Sequence, residues 1–201
     1  THGHLTLNGE KHNIPSYFVN ANDKIAVRAK IATSALYDEA FQNANTDIAW
    51  VNSCGYIIFF MQTGFCLLEA GSARHKHHMH TVLLQILCAF GSVFGWWILG
   101  DAFAYGNDSG RFIGNNHFAA TGIIDDPRKM ADWVFDMGSA ATAAKIVSGA
   151  ILERIYAYSY FGFAIFMAGW IYPVVLHWAW HPEGWLKDLG YVDHAGSGVV
   201  H

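Results

Sequence analysis

The chain has 201 residues, of which 53% are hydrophobic, 15% aromatic and 14% charged, and its formal net charge at pH 7 is -4. Soluble domains usually have ~25% charged residues, so this composition excludes a disordered chain, and the negative charge excludes a basic nucleic-acid-binding domain. We therefore expect a membrane protein that has the lipid bilayer as a partner and binds no nucleic acid.

Residues 1–47 differ in character from the rest of the chain. They begin with a polar stretch rich in histidine, asparagine and glycine, and apolar residues in segment 23–43 are spaced loosely as on one helix face. This spacing predicts an amphipathic helix over residues 23–43. We therefore divide the chain into a polar extramembrane N-terminal arm, residues 1–47, and a transmembrane region, residues 48–201.

Long stretches without charge mark the transmembrane region. Three of them contain no charged side chain: residues 48–68, 81–100 and 156–180. A helix needs ~20 apolar residues to cross the hydrocarbon core of a bilayer, so each stretch predicts one crossing. Residues 133–152 are similar in length and carry a row of small residues that favours close helix packing, although Asp136 and Lys145 interrupt them.

The predicted fold is an all-α membrane protein with about four transmembrane helices and the start of a fifth. We place these helices near residues 48–70, 80–104, 131–153 and 156–180, with the fifth beginning at residue 194. No strand pairing is expected within residues 48–201. The polar stretch 101–132 contains turn sequences such as NDSG and DDP, which predict a loop over the membrane face.

The sequence begins at Thr1, without an initiator methionine or a signal peptide. Either a targeting segment has been removed or the sequence is part of a longer chain. A removed presequence indicates an organelle inner membrane, and we favour a mitochondrial complex with respiratory subunits. The plasma membrane is the alternative.

Four motifs follow one another along the transmembrane region: residues 61–72 (MQTGFCLLEAGS), 146–154 (IVSGAILER), 172–180 (YPVVLHWAW) and 193–201 (DHAGSGVVH). Together they resemble the ammonium transporter (Amt/Mep/Rh) family over about residues 48–201, and the arm lacks such a match. The resemblance implies trimers of eleven-helix subunits in which two inverted halves enclose a narrow pore. Residues 48–201 correspond to the first half of that fold.

The resemblance assigns three residues to the ammonium pathway. Trp180 corresponds to a tryptophan at the outer mouth, where an aromatic face attracts a cation; taken alone, it fits an interfacial belt residue. His201 corresponds to the first of two pore histidines, whose neutral rings could relay a proton. Asp193 corresponds to an acidic residue near the recruitment site, and a helix N-cap explains it equally well.

Two positions depart from the family pattern. The family's gating phenylalanine aligns with Ser139, so the hydrophobic gate is absent, and Lys145 follows six residues later in mid-span. A lysine there costs about 2.5–3.5 kcal/mol unless it is paired or reaches an interface. We therefore predict that Lys145 is not exposed to lipid. Asp136 lies on the opposite face of the same helix, which leaves Glu69 and Asp193 as the acidic candidates for a partner.

The turn before the second helix contains a histidine cluster between His75 and His80, in the sequence RHKHHMH. His77 and His80 lie on one helical face and are weak candidates for metal ligands. The neighbouring arginine and lysine repel cations, and a basic turn that contacts lipid headgroups or a partner explains the same composition. We therefore predict no metal site and no cofactor.

Nothing in the sequence resembles a catalytic constellation, so we predict that the protein is not an enzyme. Three functions from different classes remain.

The leading hypothesis is a transport-inactive relative that serves as a structural or accessory subunit of a larger membrane complex, because the gate is lost, a charge is added and the sequence stops early. Other membrane protein subunits would then cover the face that includes Ser139, Lys145, Trp180 and His201.

The alternative is the N-terminal half of a functional ammonium channel, with ammonium as a partner only when a second half is present. The third is a cofactor-binding subunit that uses the turn histidines, or His177 and His181, as haem or metal ligands.

Overall fold

The computed structural model describes residues 5–7, 10–12, 25–27 and 35–201, with side chains from residue 41 onward. The chain divides into two compact units, Thr1–Ala49 and Trp50–His201. The other residues of the predicted arm, including most of its polar start, lie outside the described residues, and its extramembrane position stays a prediction.

Three short strands in the first unit form an antiparallel sheet in the order β2-β1-β3. The strands are β1 (Leu5–Leu7), β2 (Glu10–His12) and β3 (Ile25–Val27). The predicted helix over residues 23–43 is wrong in its first part, because β3 occupies it and the helix begins only at Ala35. Ile25 and Val27 are β-branched residues at alternate positions, a pattern that suits an extended strand better than a helix.

Helices make up most of the second unit. The first predicted crossing lies in α1 (Ala35–Ser72). The second is α2 (His78–Gly95), which continues through a π-helical turn (Trp96–Gly100) into α3 (Asp101–Tyr105). The third is α4 (Pro127–Ile146), followed by the short α5 (Ser148–Ile151). The fourth is α6 (Ala157–Phe166), which continues through a π-helical turn (Met167–Ile171) into α7 (Tyr172–Trp180), before α8 (Trp185–Asp188).

Within the described residues, three segments are long and apolar enough to cross a membrane: Phe41–Ser72, His75–Tyr105 and Ala157–Asp188. The predicted helical membrane fold is confirmed, and all four predicted helices form. The third predicted crossing differs from the others because α4 contains charged residues and many alanines, which make it less apolar. Ten of its residues are buried, so α4 lies largely inside the protein.

The second and fourth helices cross at glycine residues. A Cβ atom at Gly95 would collide with the carbonyl oxygen of Ile165, so the two helices touch through their backbones, as small residues permit within membranes. Immediately after the crossing, the ring of the fully buried Trp96 lies 5.8 Å from that of Tyr172. These contacts form the centre of the core.

A short hairpin follows α3. Strands β4 (Asp108–Ser109) and β5 (Ile113–Gly114) pair antiparallel, so the expectation of no strand pairing within residues 48–201 is wrong at this point. Gly110 and Arg111 have φ values of 70° and 65°, which allow the chain to reverse in a tight turn. The ladder lies in the predicted loop and spans no membrane.

His177 of α7 holds this hairpin. Its Nδ1 lies 2.8 Å from the carbonyl oxygen of Ala104, and its Nε2 lies 3.0 Å from Oδ1 of Asp108. Both neighbours are oxygen acceptors, and the hydrogen bond between Nε2 and Asp108 joins α7 to the hairpin. This hydrogen bond, together with one from the backbone N–H of Arg111, lowers the pKa of the Asp108 carboxyl.

Residues 194–201 form turns, and the predicted start of a fifth helix is wrong. Ala195 and Gly196 have φ values of 54° and 76°, in the left-handed region that interrupts a right-handed helix. The N–H of Val200 donates to the carbonyl oxygen of Gly196 over 2.8 Å, which closes a single helical-type turn.

The glycine crossing predicts a position-specific effect of a methyl group. Gly95→Ala should lower the free energy of unfolding by about 1–3 kcal/mol, because the helices must separate to admit the new Cβ atom. Gly162→Ala, in α6, is the matched control, since no atom lies within 4 Å of the added Cβ. Thermal unfolding in detergent, followed by circular dichroism, compares the two variants. Equal effects would contradict the close crossing.

The His177–Asp108 pair predicts a defined pH dependence. A carboxyl whose pKa is lowered by folding stabilises the native state above its unfolded pKa of ~3.9 and loses this contribution as pH falls through the folded pKa. Asp108→Asn should therefore destabilise the protein at neutral pH, and its difference from the native protein should shrink at low pH. Unfolding temperatures measured across this range test the prediction, with the exposed Asp125→Asn as control. A difference that stays constant with pH would contradict it.

Candidate functional site

Several residues singled out from the sequence surround one cavity of about 500 Å³, which we call the Trp180 cavity. Its polar lining includes Ser139, Trp180, Asp193 and His201, and its apolar wall includes Ile58, Met61 and Phe135. The structure therefore brings together the three residues that the resemblance assigns to the pathway. The apolar wall was missed from the sequence, although Phe135 lies one helical turn before Ser139 and so on the same face of α4.

Asp193 orients the indole ring of Trp180. Its Oδ2 accepts a hydrogen bond from Nε1 of Trp180 over 3.0 Å, and its Oδ1 accepts one from the backbone N–H of Gly198 over 2.8 Å. The carboxylate thus ties the end of α7 to the turn that leads to His201. Asp193 makes this turn contact in place of the predicted helix cap. Any effect of Asp193 on a cation would be indirect, because Asp193 positions the Trp180 ring.

Ser139 presents only a small side chain to the Trp180 cavity. Its residue is 4% exposed, and its Oγ donates to the carbonyl oxygen of Phe135 over 3.3 Å. A hydroxyl that bonds back to its own helix fills little space. The nearest bulky group of α4 at this cavity is the ring of Phe135.

Lys145 lies in the interior, 2% exposed, and away from the Trp180 cavity. Six residues of helix turn it by about 240° from Ser139, so the two side chains leave α4 in different directions. Its Nζ donates to the carbonyl oxygen of Gln62 in α1 over 3.3 Å. The sequence prediction that Lys145 shares a face with Trp180 and His201 is therefore wrong, and its hydrogen-bond partner is a carbonyl oxygen.

A buried polar network surrounds Lys145 and joins four helices, α1, α2, α4 and α5. Glu69 of α1 accepts hydrogen bonds from Nε2 of Gln85 in α2 and from Oγ of Ser148 in α5. Nε2 of Gln62 donates to Oγ1 of Thr142 over 3.1 Å. The network gives both Lys145 and Glu69 polar neighbours inside the protein, which buried charges require. Glu69 was a candidate partner of Lys145, and it lies in the same network without a direct ion pair among the described residues.

The histidine-rich turn is held by contacts to the protein. Nε2 of His80 lies 3.3 Å from the carbonyl oxygen of Ile155, and Nε2 of His78 lies 2.8 Å from that of Ala73. Within residues 41–201, no group of three or more histidine, cysteine or carboxylate side chains could hold a metal ion. His77 and His80 thus have no third ligand among these described residues.

An ion pair closes the same turn. Nε of Arg74 donates to Oε2 of Glu153 over 2.7 Å, and the backbone N–H of Arg74 donates to Oε1 over 2.8 Å. These hydrogen bonds lower the pKa of the Glu153 carboxyl to about 2. The pair connects the end of α1 to the segment after α5.

The second histidine pair, His177 and His181, does not form a haem or metal site in this structure. Their rings stack nearly parallel, with centroids 4.2 Å apart and planes inclined by 18°. Both ring nitrogens of His177 already face protein oxygens, which leaves no nitrogen for an iron or zinc ion. His177 instead contacts Ala104 and Asp108 at the start of the hairpin.

Comparison with known proteins identifies the family. The family model described as Ammonium Transporter Family matches residues 49–201. A Caenorhabditis elegans protein assigned as ammonium transporter 1 is 36% identical over 199 residues, covering 93% of this chain and 35% of its own length. Ammonium transporter 1 member 3 of Solanum lycopersicum is 38% identical over 154 residues, covering 73% of this chain and 33% of its own length.

Solved structures agree with this assignment. The Sensor Amt Protein superposes with a TM-score of 0.75 at 32% identity, covering 78% of this chain and 41% of that one. Mep2 of Candida albicans superposes with a TM-score of 0.67 at 25% identity, covering 77% of this chain and 36% of that one.

The fold and the matched motifs thus define an ammonium-transporter-like integral membrane protein. The chain belongs to the Ammonium Transporter Family, which is a family of transporters rather than of enzymes. It spans about a third of the length of these relatives. The C. elegans match covers more than residues 49–201, so the similarity extends into the arm, where the sequence motifs indicated none. The transport roles of Trp180, Asp193 and His201 stay predictions.

The polar network predicts energetic coupling between Lys145 and Glu69. Lys145→Met should lower the free energy of unfolding by about 1–3 kcal/mol, because it leaves buried oxygen atoms without a donor or a cation. Glu69→Gln combined with Lys145→Met should cost less than the sum of the single changes, since neither charge is then left alone. A double-mutant cycle of unfolding in detergent measures the coupling. The exposed Lys187→Met is the control, and strictly additive effects of the paired changes would contradict the coupling.

Proposed function

We propose that this chain is transport-inactive by itself and serves as a structural or accessory subunit of a larger membrane assembly. The observation that carries the proposal is the α4 wall of the Trp180 cavity. Trp180, Asp193 and His201 are present there, but Ser139 stands where the family resemblance places a bulky gate. A small side chain bonded to its own helix leaves this part of the cavity open to water.

The Trp180 cavity also needs a cover within a bilayer. Polar groups exposed to hydrocarbon cost several kcal/mol each, and the cavity presents the His201 ring and the Asp193 carboxylate. We propose that other membrane protein subunits cover the face around Ser139, Trp180 and His201. Lys145 is not part of this face, because it is buried and does not line the Trp180 cavity.

One observation favours the alternative, in which the chain is the N-terminal half of a functional ammonium channel. A cation in the pore would repel ammonium, and the structure places Lys145 outside the Trp180 cavity. The Asp193 carboxylate also holds the Trp180 indole in a defined orientation. In this alternative, ammonium binds beside Trp180 once a second half completes the pore.

A flux measurement tests the transport-inactive proposal. The purified 201-residue chain, reconstituted into liposomes and given an ammonium pulse, should change the internal pH no faster than protein-free vesicles do. A full-length family member is the positive control for the assay. A flux above the protein-free level that disappears in His201→Ala would demonstrate conduction and contradict the transport-inactive proposal.

The mass of the native protein and its membrane location provide two further tests. A native protein near 22.3 kDa supports the subunit proposal, whereas a chain about twice that mass, with two pore halves, supports the channel. Immunoblots of purified mitochondrial and plasma membranes test the predicted mitochondrial location. Copurified membrane proteins that protect the exposed position of His201→Cys from a thiol reagent would support the covered face.

A further inference from the structure

The turn between α1 and α2 and the segment between α5 and α6 form one surface, which we call the basic end: residues 73–80 and 152–158. The ion pair of Arg74 and Glu153, with Nη2 and Oε2 2.6 Å apart, holds the turn against the segment. Nε2 of His80 lies 3.3 Å from the carbonyl oxygen of Ile155 and adds a second contact. Two parts of the chain that are distant in sequence therefore present their side chains at the same end of the helices.

The basic end lies where membrane-crossing helices end. Of the three segments that can cross a membrane, Phe41–Ser72 ends just before it, and His75–Tyr105 and Ala157–Asp188 begin within or beside it. Three helix ends of this kind place the surface at the boundary between hydrocarbon and water, where the lipid headgroups lie. Headgroups are therefore the first polar groups that its side chains meet.

Large side chains of the basic end are exposed. Tyr156 and Tyr158 are 71% and 75% exposed, and their ring centroids lie 5.7 Å apart with planes inclined by 11°. Met79, at the start of α2, is 83% exposed. Tyrosine is typical of a membrane interface, because its ring is apolar and its hydroxyl is polar. An exposed methionine beside two such rings favours contact with lipid over contact with a soluble acidic protein.

The basic end carries unpaired positive charge. Glu153 is its single acidic side chain, and this carboxylate pairs with Arg74. Lys76 and Arg154 are exposed, and neither makes an ion pair within residues 41–201. Each lies within two residues of the Arg74–Glu153 pair, so the two cations flank it. Together they complement a phosphate group, whose oxygens accept hydrogen bonds from lysine and arginine.

The opposite ends of the same helices carry the opposite charge. Residues 101–132 and 181–193 contain eight acidic and four basic side chains, whereas residues 73–80 and 152–158 contain one acidic and three basic ones, histidines aside. An anionic lipid surface attracts lysine and arginine that lie next to it. The basic end is therefore the part of this transmembrane region that suits anionic lipid, and the opposite end repels it.

We propose that the basic end binds the phosphate group of an anionic phospholipid in the adjoining leaflet. Lys76 and Arg154 donate to the phosphate oxygens, the two tyrosine rings lie at the level of the headgroup, and Met79 contacts an acyl chain. No residue of the basic end lines the Trp180 cavity. The inference goes beyond the proposed function, because lipid binding here requires neither transport nor a partner subunit.

Native mass spectrometry of the purified 201-residue chain in detergent tests the proposal. The chain is mixed with equal amounts of phosphatidylglycerol and phosphatidylcholine that have the same acyl chains, and the bound lipids are counted. The native chain should bind phosphatidylglycerol in preference. Lys76→Gln combined with Arg154→Gln should lower this preference about tenfold or more, because each cation beside an anionic headgroup favours binding about fivefold.

Two further variants separate this site from a general effect of charge. Lys129→Gln combined with Lys187→Gln removes two exposed cations at the opposite end and should leave the lipid preference unchanged. Lys76→Arg combined with Arg154→Lys keeps both charges and should bind as the native chain does. The unfolding temperature of every variant without lipid should match that of the native chain, because the substituted side chains are exposed and make no ion pair.

Three results would overturn the proposal: equal binding of the two lipids by the native chain, an equal loss of preference in the opposite-end variant, or displacement of phosphatidylglycerol by glycerol phosphate at the same concentration. The last result would identify a site for free phosphate instead of lipid. A flux in the liposome assay would contradict only the transport-inactive function, so the two experiments fail independently.

Discussion

At Gly95 the backbones of the second and fourth helices touch, and the core of the second unit is built around this contact. Next to this contact the rings of Trp96 and Tyr172 lie 5.8 Å apart and tilted by 55°, and the alanines Ala140 and Ala143 of α4 belong to the same cluster. Small residues on three helices thus replace the apolar bulk of a soluble core, as is typical where lipid supplies no hydrophobic driving force between helices.

The polar side chains of α4 lie in separate environments. Its Asp136 borders a cavity that Asp101 and Asp132 also line, its Ser139 borders the Trp180 cavity, and its Lys145 donates to α1. These positions lie three and six residues apart, and ~100° of rotation per residue directs them to different neighbours.

The buried charges fall into two groups that suggest different roles. Glu69 accepts from Gln85 and Ser148, and Lys145 donates to the Gln62 carbonyl, so this network satisfies its members with protein groups. Asp101 has no such partner among the described residues, and it faces an open space with aromatic walls. A satisfied network stabilises the helix packing, whereas Asp101 borders a cavity that Lys129 and His117 also line.

The sequence alone determined the membrane class, the four helices and the family, because uncharged stretches near 20 residues and ordered motifs are local properties of the chain. It also identified Trp180, Asp193 and His201, which the structure brings around one cavity. Only the tertiary structure decided that β3 replaces part of a predicted helix and that residues 194–201 form turns, since pairing with β1 and left-handed φ values are not visible in apolar spacing. It alone also placed Lys145 away from the cavity that Trp180 and His201 line and brought Asp101 and Asp136 to one cavity, because these relations depend on how helices distant in sequence rotate and pack against one another.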